Sequence, residues 1–254
     1  MEIMLMILYI YAFMVGCCVM SFINVVIYRL PLKLSIVKGR SFCPNCHHQL
    51  HVLDLIPIMS YICLKGRCRY CHSDISIRDT IFEFIGGFFG MFCFWFYGLD
   101  MMMLIVFLFG MVLFAISVID IETMEIPECL IIACFIFGIL SMFIMDISFK
   151  ERIIGFFILS LPLFILNMMI ADCIGGGDIK LLAVGGFLLG WKNVLVGMYI
   201  AVLTSTVYAC YLLMTHRVNR KTYIAFGPYL SFGMFVSLLW GKQIIEWYLS
   251  YFYL

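Results

Sequence analysis

Charged residues divide this 254-residue chain into long uncharged runs: 3–28, 84–99, 101–119, 129–145, 153–171, 193–216 and 222–241, with a shorter one at 181–191. A helix rises 1.5 Å per residue, so about 20 residues cross a hydrocarbon core. Seven runs meet or approach that length, and the eighth does so if extended back to Gly175, with Asp178 and Lys180 at the membrane edge. Apolar residues make up 65% of the chain and charged residues 12%, against roughly 25% charged in a soluble domain. A water-soluble globule is excluded, and the expected fold is an all-α polytopic bundle of about eight transmembrane helices in a lipid bilayer. The formal net charge of +1 gives no electrostatic reason to expect a nucleic-acid partner.

Residues 1–28 read as a retained first span and not a cleaved signal, because the run is long, no basic residue precedes it and Arg29 follows it. Eight of the 16 basic residues lie from Arg29 to Arg78. With the N-terminus outside, these eight, Lys180, and Arg217, Arg220 and Lys221 of the last polar loop face the cytoplasm, leaving four outside, as the positive-inside rule requires.

The polar segment 29–80 is too small to build a core without a staple. It carries Cys43-Pro44-Asn45-Cys46 and Cys68-Arg69-Tyr70-Cys71, separated by 21 residues. Two such pairs supply four thiolates, which close a tetrahedral shell around Zn²⁺ and leave no position for water, so the expected metal is structural. A redox pair and two disulfides are the alternatives, and a cytoplasmic location weighs against disulfides. His47, His48 and His72 are possible substitute ligands. The other eight cysteines mostly fall in apolar runs, where cysteine behaves as a small hydrophobe.

Acidic residues gather in two short inner loops: Asp120, Glu122, Glu125 and Glu128 before and after Pro127, and Asp172 and Asp178 around Gly175-Gly176-Gly177. A carboxylate at the inner end of each of two packed spans can pair with the other. Such a pair shares one proton, so one member can act as base on water while its partner protonates the carbonyl oxygen or leaving amine. Solvated interfacial acids are the plainer reading of the same residues.

These segments together resemble the bacterial type IV prepilin peptidases, bifunctional leader peptidases and N-methyltransferases of the GxGD class of membrane aspartyl proteases. The resemblance runs through Ser21-Phe-Ile-Asn24-Val-Val-Ile-Tyr-Arg29-Leu-Pro31, both cysteine pairs, Asp54-Leu-Ile-Pro57, Leu64-Lys-Gly66-Arg-Cys68, Arg78 and Glu83. It continues through 120–127, Gly175-Gly-Gly177-Asp178-Ile-Lys180-Leu181 and Phe226-Gly227-Pro228. It implies that Asp120 and Asp178 are the peptidase pair. The implied substrate is a prepilin or pseudopilin, cut at the cytoplasmic face of the inner membrane, whose new N-terminus is methylated from S-adenosylmethionine. It places methylation at the first cytoplasmic loop, with Gly66, Arg78 and Glu83 as its candidate residues, and the peptidase in 81–254. Met20, Asp79-Thr80 and Glu128 depart from the family pattern, and the stretch between Pro31 and Cys43 is short; none of these touches the aspartates or the thiols. The alternatives are a peptidase of this class without methyltransferase activity and, from another class, a transporter with both acids lining its pathway.

Overall fold

The computed structural model describes residues 2–37, 39–170, 174–215 and 224–251. Arg217, Arg220, Lys221 and Asp172 lie outside these described residues. The fold is helical, with isolated bridges at Phe42–Gln49 and Arg67–Asp74 as the only strand-like pairing among them. Nine α-helices follow in order: α1 Glu2–Arg29, α2 Met59–Cys63, α3 Ile77–Tyr97, α4 Met101–Thr123, α5 Glu128–Leu140, α6 Phe149–Ile158, α7 Ser160–Met169, α8 Gly176–Met214 and α9 Gly227–Ser250.

Among the described residues, five stretches are long and apolar enough to cross a membrane: α1, α3, α4, α6 with α7, and α8. The 39-residue α8 contains a break at Gly190 (φ 75°, ψ 165°), a conformation open to glycine and strained for any residue with a Cβ. The two halves of α8, the shorter apolar α5 and α9 complete the eight rods expected from the charge pattern. Some boundaries differ from the uncharged runs. Helix α3 begins seven residues before 84, because Arg78, Asp79 and Glu83 belong to its first two turns. Helix α9 runs on to Ser250, with Lys242 and Glu246 within it as an i,i+4 pair 3.9 Å apart.

The chain forms two compact units, Met1–Phe107 and Leu108–Leu254. In the first, α1 and α3 pack closely. A Cβ on Gly16 would strike the Gly86 carbonyl, and one on Gly90 would lie 2.5 Å from the Ala12 carbonyl oxygen. Such small residues bring backbones together where lipid gives no hydrophobic drive to associate. Tyr9 meets Phe94 edge to face at 4.9 Å, which fixes the pair as antiparallel.

In the second unit α8 is central, packed by α5, α6 and α9. Glycine pairs again allow the approach, Gly155 to Gly186 and Gly197 to Gly233. Arg152, one of the four basic residues expected on the outer side, is fully buried within the protein. Its guanidinium donates to Ser141 Oγ (2.7 Å), the Ser141 carbonyl (3.1 Å) and the Phe187 and Leu188 carbonyls (3.2 and 3.3 Å). The break at Gly190 deprives those last two carbonyls of regular i+4 partners, and the arginine supplies the missing donors. The demand of these carbonyls accounts for the burial of a charged side chain here.

Candidate active site and metal centre

Asp120 lies in the last turn of α4 and is 6% exposed. The chain then reverses: the Met124 N–H bonds the Asp120 carbonyl at 2.9 Å with Met124 at φ 56°, and Pro127 caps α5 at Glu128. The second acid, Asp178, sits in the first turn of α8, whose N-cap is Gly175; the Gly175 carbonyl accepts from the Asp178 N–H at 3.1 Å. The two helix ends meet. Gly177 lies against Ile126, where a Cβ would approach Ile126 Cβ to 2.9 Å, and Lys180 forms an ion pair with Glu128. Asp120 and Asp178 consequently lie within direct electrostatic reach of each other.

The two carboxyls have different surroundings. Asp120 Oδ2 accepts the Gly227 N–H at 2.8 Å, at the N-terminus of α9, where Pro228 occupies the first turn. Asp178 Oδ1 is buried and has no hydrogen-bond partner among the described residues. A buried polar atom without a partner costs about 1–3 kcal/mol, so this oxygen is available to a water or to a polar group of a bound chain. The arrangement suits acid and base work on a water held between the carboxyls. Sequence reasoning had no role for Gly227, although the glycine and the proline that opens α9 stood in a quoted motif.

The cysteine segment of the first unit contains two copies of one turn. Cys43 N–H bonds the His48 carbonyl (3.0 Å) and His47 N–H the Cys43 carbonyl (2.9 Å); 25 residues on, Cys68 N–H bonds the Ser73 carbonyl (2.9 Å) and His72 N–H the Cys68 carbonyl (3.0 Å). His47 and His72 both have φ 57°, so they are the left-handed corners of the two knuckles. Sγ of Cys43, Cys46, Cys68 and Cys71 all fall within 4.8 Å of one another, and Cys43 and Cys71 are 3.8 Å apart. Tetrahedral sites with Zn–S bonds of about 2.3 Å place sulfurs about 3.8 Å apart, so the four free thiols could hold such an ion. Backbone N–H groups of Cys46 and Asn45 hold the Cys43 thiol below its usual range. The Ser73 hydroxyl, 3.1 Å from Cys71 Sγ, and the Ser73 amide bring the Cys71 thiol down to about 6. Both effects favour the thiolate that a metal needs.

The three residues expected for methylation occupy different settings. Gly66 (φ 71°) turns the chain after α2, and a Cβ there would come within 2.9 Å of Tyr61 Oη. Arg78, in the first turn of α3, sits 5.0 Å over the Phe82 ring. Glu83 is buried; its Oε2 accepts the Ile58 N–H at 2.8 Å, and its carboxyl is also hydrogen-bonded by Ser21. Gly66 is thus tied to Tyr61 (its N–H to the Tyr61 carbonyl, 2.9 Å) and Glu83 to Ile58, three residues apart on the same segment.

Comparison with known proteins agrees with this architecture. The profile of the bacterial peptidase A24 N-terminal domain matches residues 14–97, and that of the type IV leader peptidase family matches residues 107–210. The prepilin leader peptidase/N-methyltransferase of Bacillus subtilis (strain 168) is 30% identical over 97% of this chain and 98% of its own length. The chain belongs to the type IV leader peptidase family. Two further relatives bearing the same name are those of Legionella pneumophila, 27% identical over 91% of each chain, and Aeromonas hydrophila, 28% identical over 96% of this chain and 93% of the relative. No solved structure matches the chain. The family resemblance read from the motifs is thereby established, and the two profiles meet the chain in the order in which its cysteine knuckles and its aspartates occur.

Proposed function

We propose that this chain is a membrane aspartyl endopeptidase that removes the leader of type IV prepilins or pseudopilins and N-methylates the residue so exposed. The observation that carries the reading is the meeting of the helix ends that bear Asp120 and Asp178, where Gly177 packs on Ile126 and Lys180 pairs with Glu128, in a chain of the type IV leader peptidase family. One carboxylate takes a proton from water as its oxygen attacks the scissile carbonyl carbon. The partner carboxyl then gives a proton to the nitrogen as the C–N bond breaks. No metal or covalent intermediate is needed. A prepilin with a hydrophobic helix lying in the bilayer would present its leader junction at the depth of these helix ends.

The family relatives carry the methyltransferase name, and we assign the second activity to this chain with S-adenosylmethionine as methyl donor. Gly66, Arg78 and Glu83 are the candidate residues for binding the methyl donor in that activity. Zn²⁺ held by Cys43, Cys46, Cys68 and Cys71 would fold segment 29–80 and take no part in bond cleavage. The protein is placed in the bacterial inner membrane, with this segment and both aspartates at the cytoplasmic face, because the basic residues concentrate there. Incubating the purified enzyme with a leader-bearing prepilin and S-adenosylmethionine tests both steps. Mass spectrometry should show loss of the leader and gain of one methyl; an unprocessed pilin would refute the peptidase assignment, and a processed but unmethylated one the transferase assignment.

A further inference from the structure

Between the two cysteine knuckles, the segment from Val52 to Ile62 exposes apolar side chains on its outer side. Val52 is 75% exposed, Leu53 61%, Met59 54% and Ile62 59%, and Leu55 and Ile56 are also exposed. Asp54, the only charged residue of the segment, is turned inward. Its side chain is 2% exposed, pairs with Arg69 at 2.7 Å and accepts the His51 N–H at 3.2 Å. The most exposed side chains, Val52, Leu53, Leu55, Ile56, Met59 and Ile62, are thus all apolar, with Ser60 and Tyr61 half-buried between them, in a small polar segment that has no core to spare for them.

The height of this surface is fixed by one hydrogen bond. Ile58, in the middle of the segment, donates its N–H to Glu83 Oε2 at 2.8 Å. Glu83 lies six residues beyond Ile77, the first residue of α3, which is about 9 Å along the helix axis. Arg78 and Asp79, in the first turn, mark the headgroup level of that span, so the segment hangs at the boundary between headgroups and acyl chains. Interfacial segments bury their apolar faces about 5–10 Å into that zone.

Charge agrees with this placement. From Arg29 to Asp79 the sequence has eight basic residues, namely Arg29, Lys33, Lys38, Arg40, Lys65, Arg67, Arg69 and Arg78, against Asp54, Asp74 and Asp79. Immediately after α2, Lys65, Arg67, Arg69 and His72 line an open hollow of about 520 Å³ with Cys63 and Leu64. We propose that Val52–Ile62 is a membrane-interface element: its apolar side chains enter the leaflet in which α1 ends and α3 begins, and the basic residues around it bind anionic headgroups. The cysteine knuckles would then ride on the bilayer instead of hanging free in water.

The test uses the intact protein in nanodiscs of phosphatidylcholine and phosphatidylglycerol, with a photoreactive diazirine analogue of leucine at position 53 or 56. Retained zinc and leader removal certify each preparation. Illumination should yield lipid adducts at both positions, comparable to a probe at the exposed α3 position Ile85 and roughly tenfold above a probe at Asp74 on the second knuckle. Replacing phosphatidylglycerol by phosphatidylcholine should lower the yield about fivefold, the effect of one lysine–headgroup attraction. Capture of water alone, of another segment of the chain, or of added prepilin in place of lipid would overturn the proposal. A yield indifferent to phosphatidylglycerol would overturn its electrostatic part.

Discussion

The Gly227 N–H meets Asp120 Oδ2 at 2.8 Å, although 107 residues separate the two in sequence. The first amide of α9 thereby holds one oxygen of the carboxyl and fixes its rotamer, leaving the other oxygen to face the reaction. Only a glycine allows it: a Cβ at this position would stand 2.7 Å from Asp120 Oδ2 and 3.0 Å from its Cγ. Gly227→Ala should displace the carboxylate and cut leader removal on the order of 10²-fold, the usual cost of a misplacement near 1 Å. Thermal stability and zinc content measured beside the cleavage rate separate this from misfolding. Unchanged cleavage would show that the amide does not position Asp120.

Asp120→Asn and Asp178→Asn should each reduce leader removal by roughly 10²-fold or more, the usual contribution of a positioned acid or base. Asparagine keeps the shape of the side chain but cannot exchange a proton. At position 120 it can still accept the Gly227 amide through its carbonyl oxygen, so the fold is expected to survive. A variant that processes prepilin at the wild-type rate would take that residue out of the mechanism.

Purified protein should contain about one zinc per chain, bound by four sulfurs at about 2.3 Å in X-ray absorption. Cys43→Ser removes a ligand whose thiol the Cys46 and Asn45 amides already prepare. Zinc content should fall and the 29–80 segment should become sensitive to protease, with cleavage activity lost only through that unfolding. A chelator-free preparation without zinc, or one with Cys43 and Cys71 oxidised together, would refute the assignment.

The two activities should be separable. Gly66→Val forces a branched side chain into φ 71° against Tyr61, and Glu83→Gln removes the charge while keeping an oxygen for the Ile58 N–H. Neither replaces Asp120 or Asp178. Methylation of the processed pilin is expected to fall more than leader removal in both, with zinc retained. Normal methylation in both variants would make the residues purely structural.

Much of this was readable from the residues. Long uncharged runs marked the spans, since nothing but lipid accommodates so little charge, and the paired Cys-x-x-Cys spacing marked the knuckles. The start of α3 is hidden in the sequence because Glu83 is a charged residue type yet buried, held by Ile58 and Ser21; a charge marks a span boundary only where no tertiary hydrogen bonds satisfy it. His47 and His72 have the chemistry of ligands, and only the backbone shows them as left-handed corners. Nor could sequence spacing find Gly227 beside Asp120, because the donor is a backbone N–H with no side chain to announce it.

Arg152 gives the last prediction, and it concerns the frame of the site. Its guanidinium reaches the C-terminal end of α5 through Ser141 and the Gly190 break through Phe187 and Leu188, so one side chain ties α5, α6 and α8. The half of α8 before the break carries Asp178 at its other end. Arg152→Met would fill similar volume but leave three buried carbonyls without this donor, at about 1–3 kcal/mol each. Relief of the buried charge returns part of that cost, for a net loss of roughly 2–4 kcal/mol. Arg152→Lys keeps the charge but lacks the planar fork that reaches several carbonyls at once, and should fall between. Thermal denaturation in detergent orders the three proteins, and leader removal should decline in the same order as α8 loosens. Equal stability of Arg152→Met and wild type would mean that the carbonyls find other donors and that Gly190 needs no clamp.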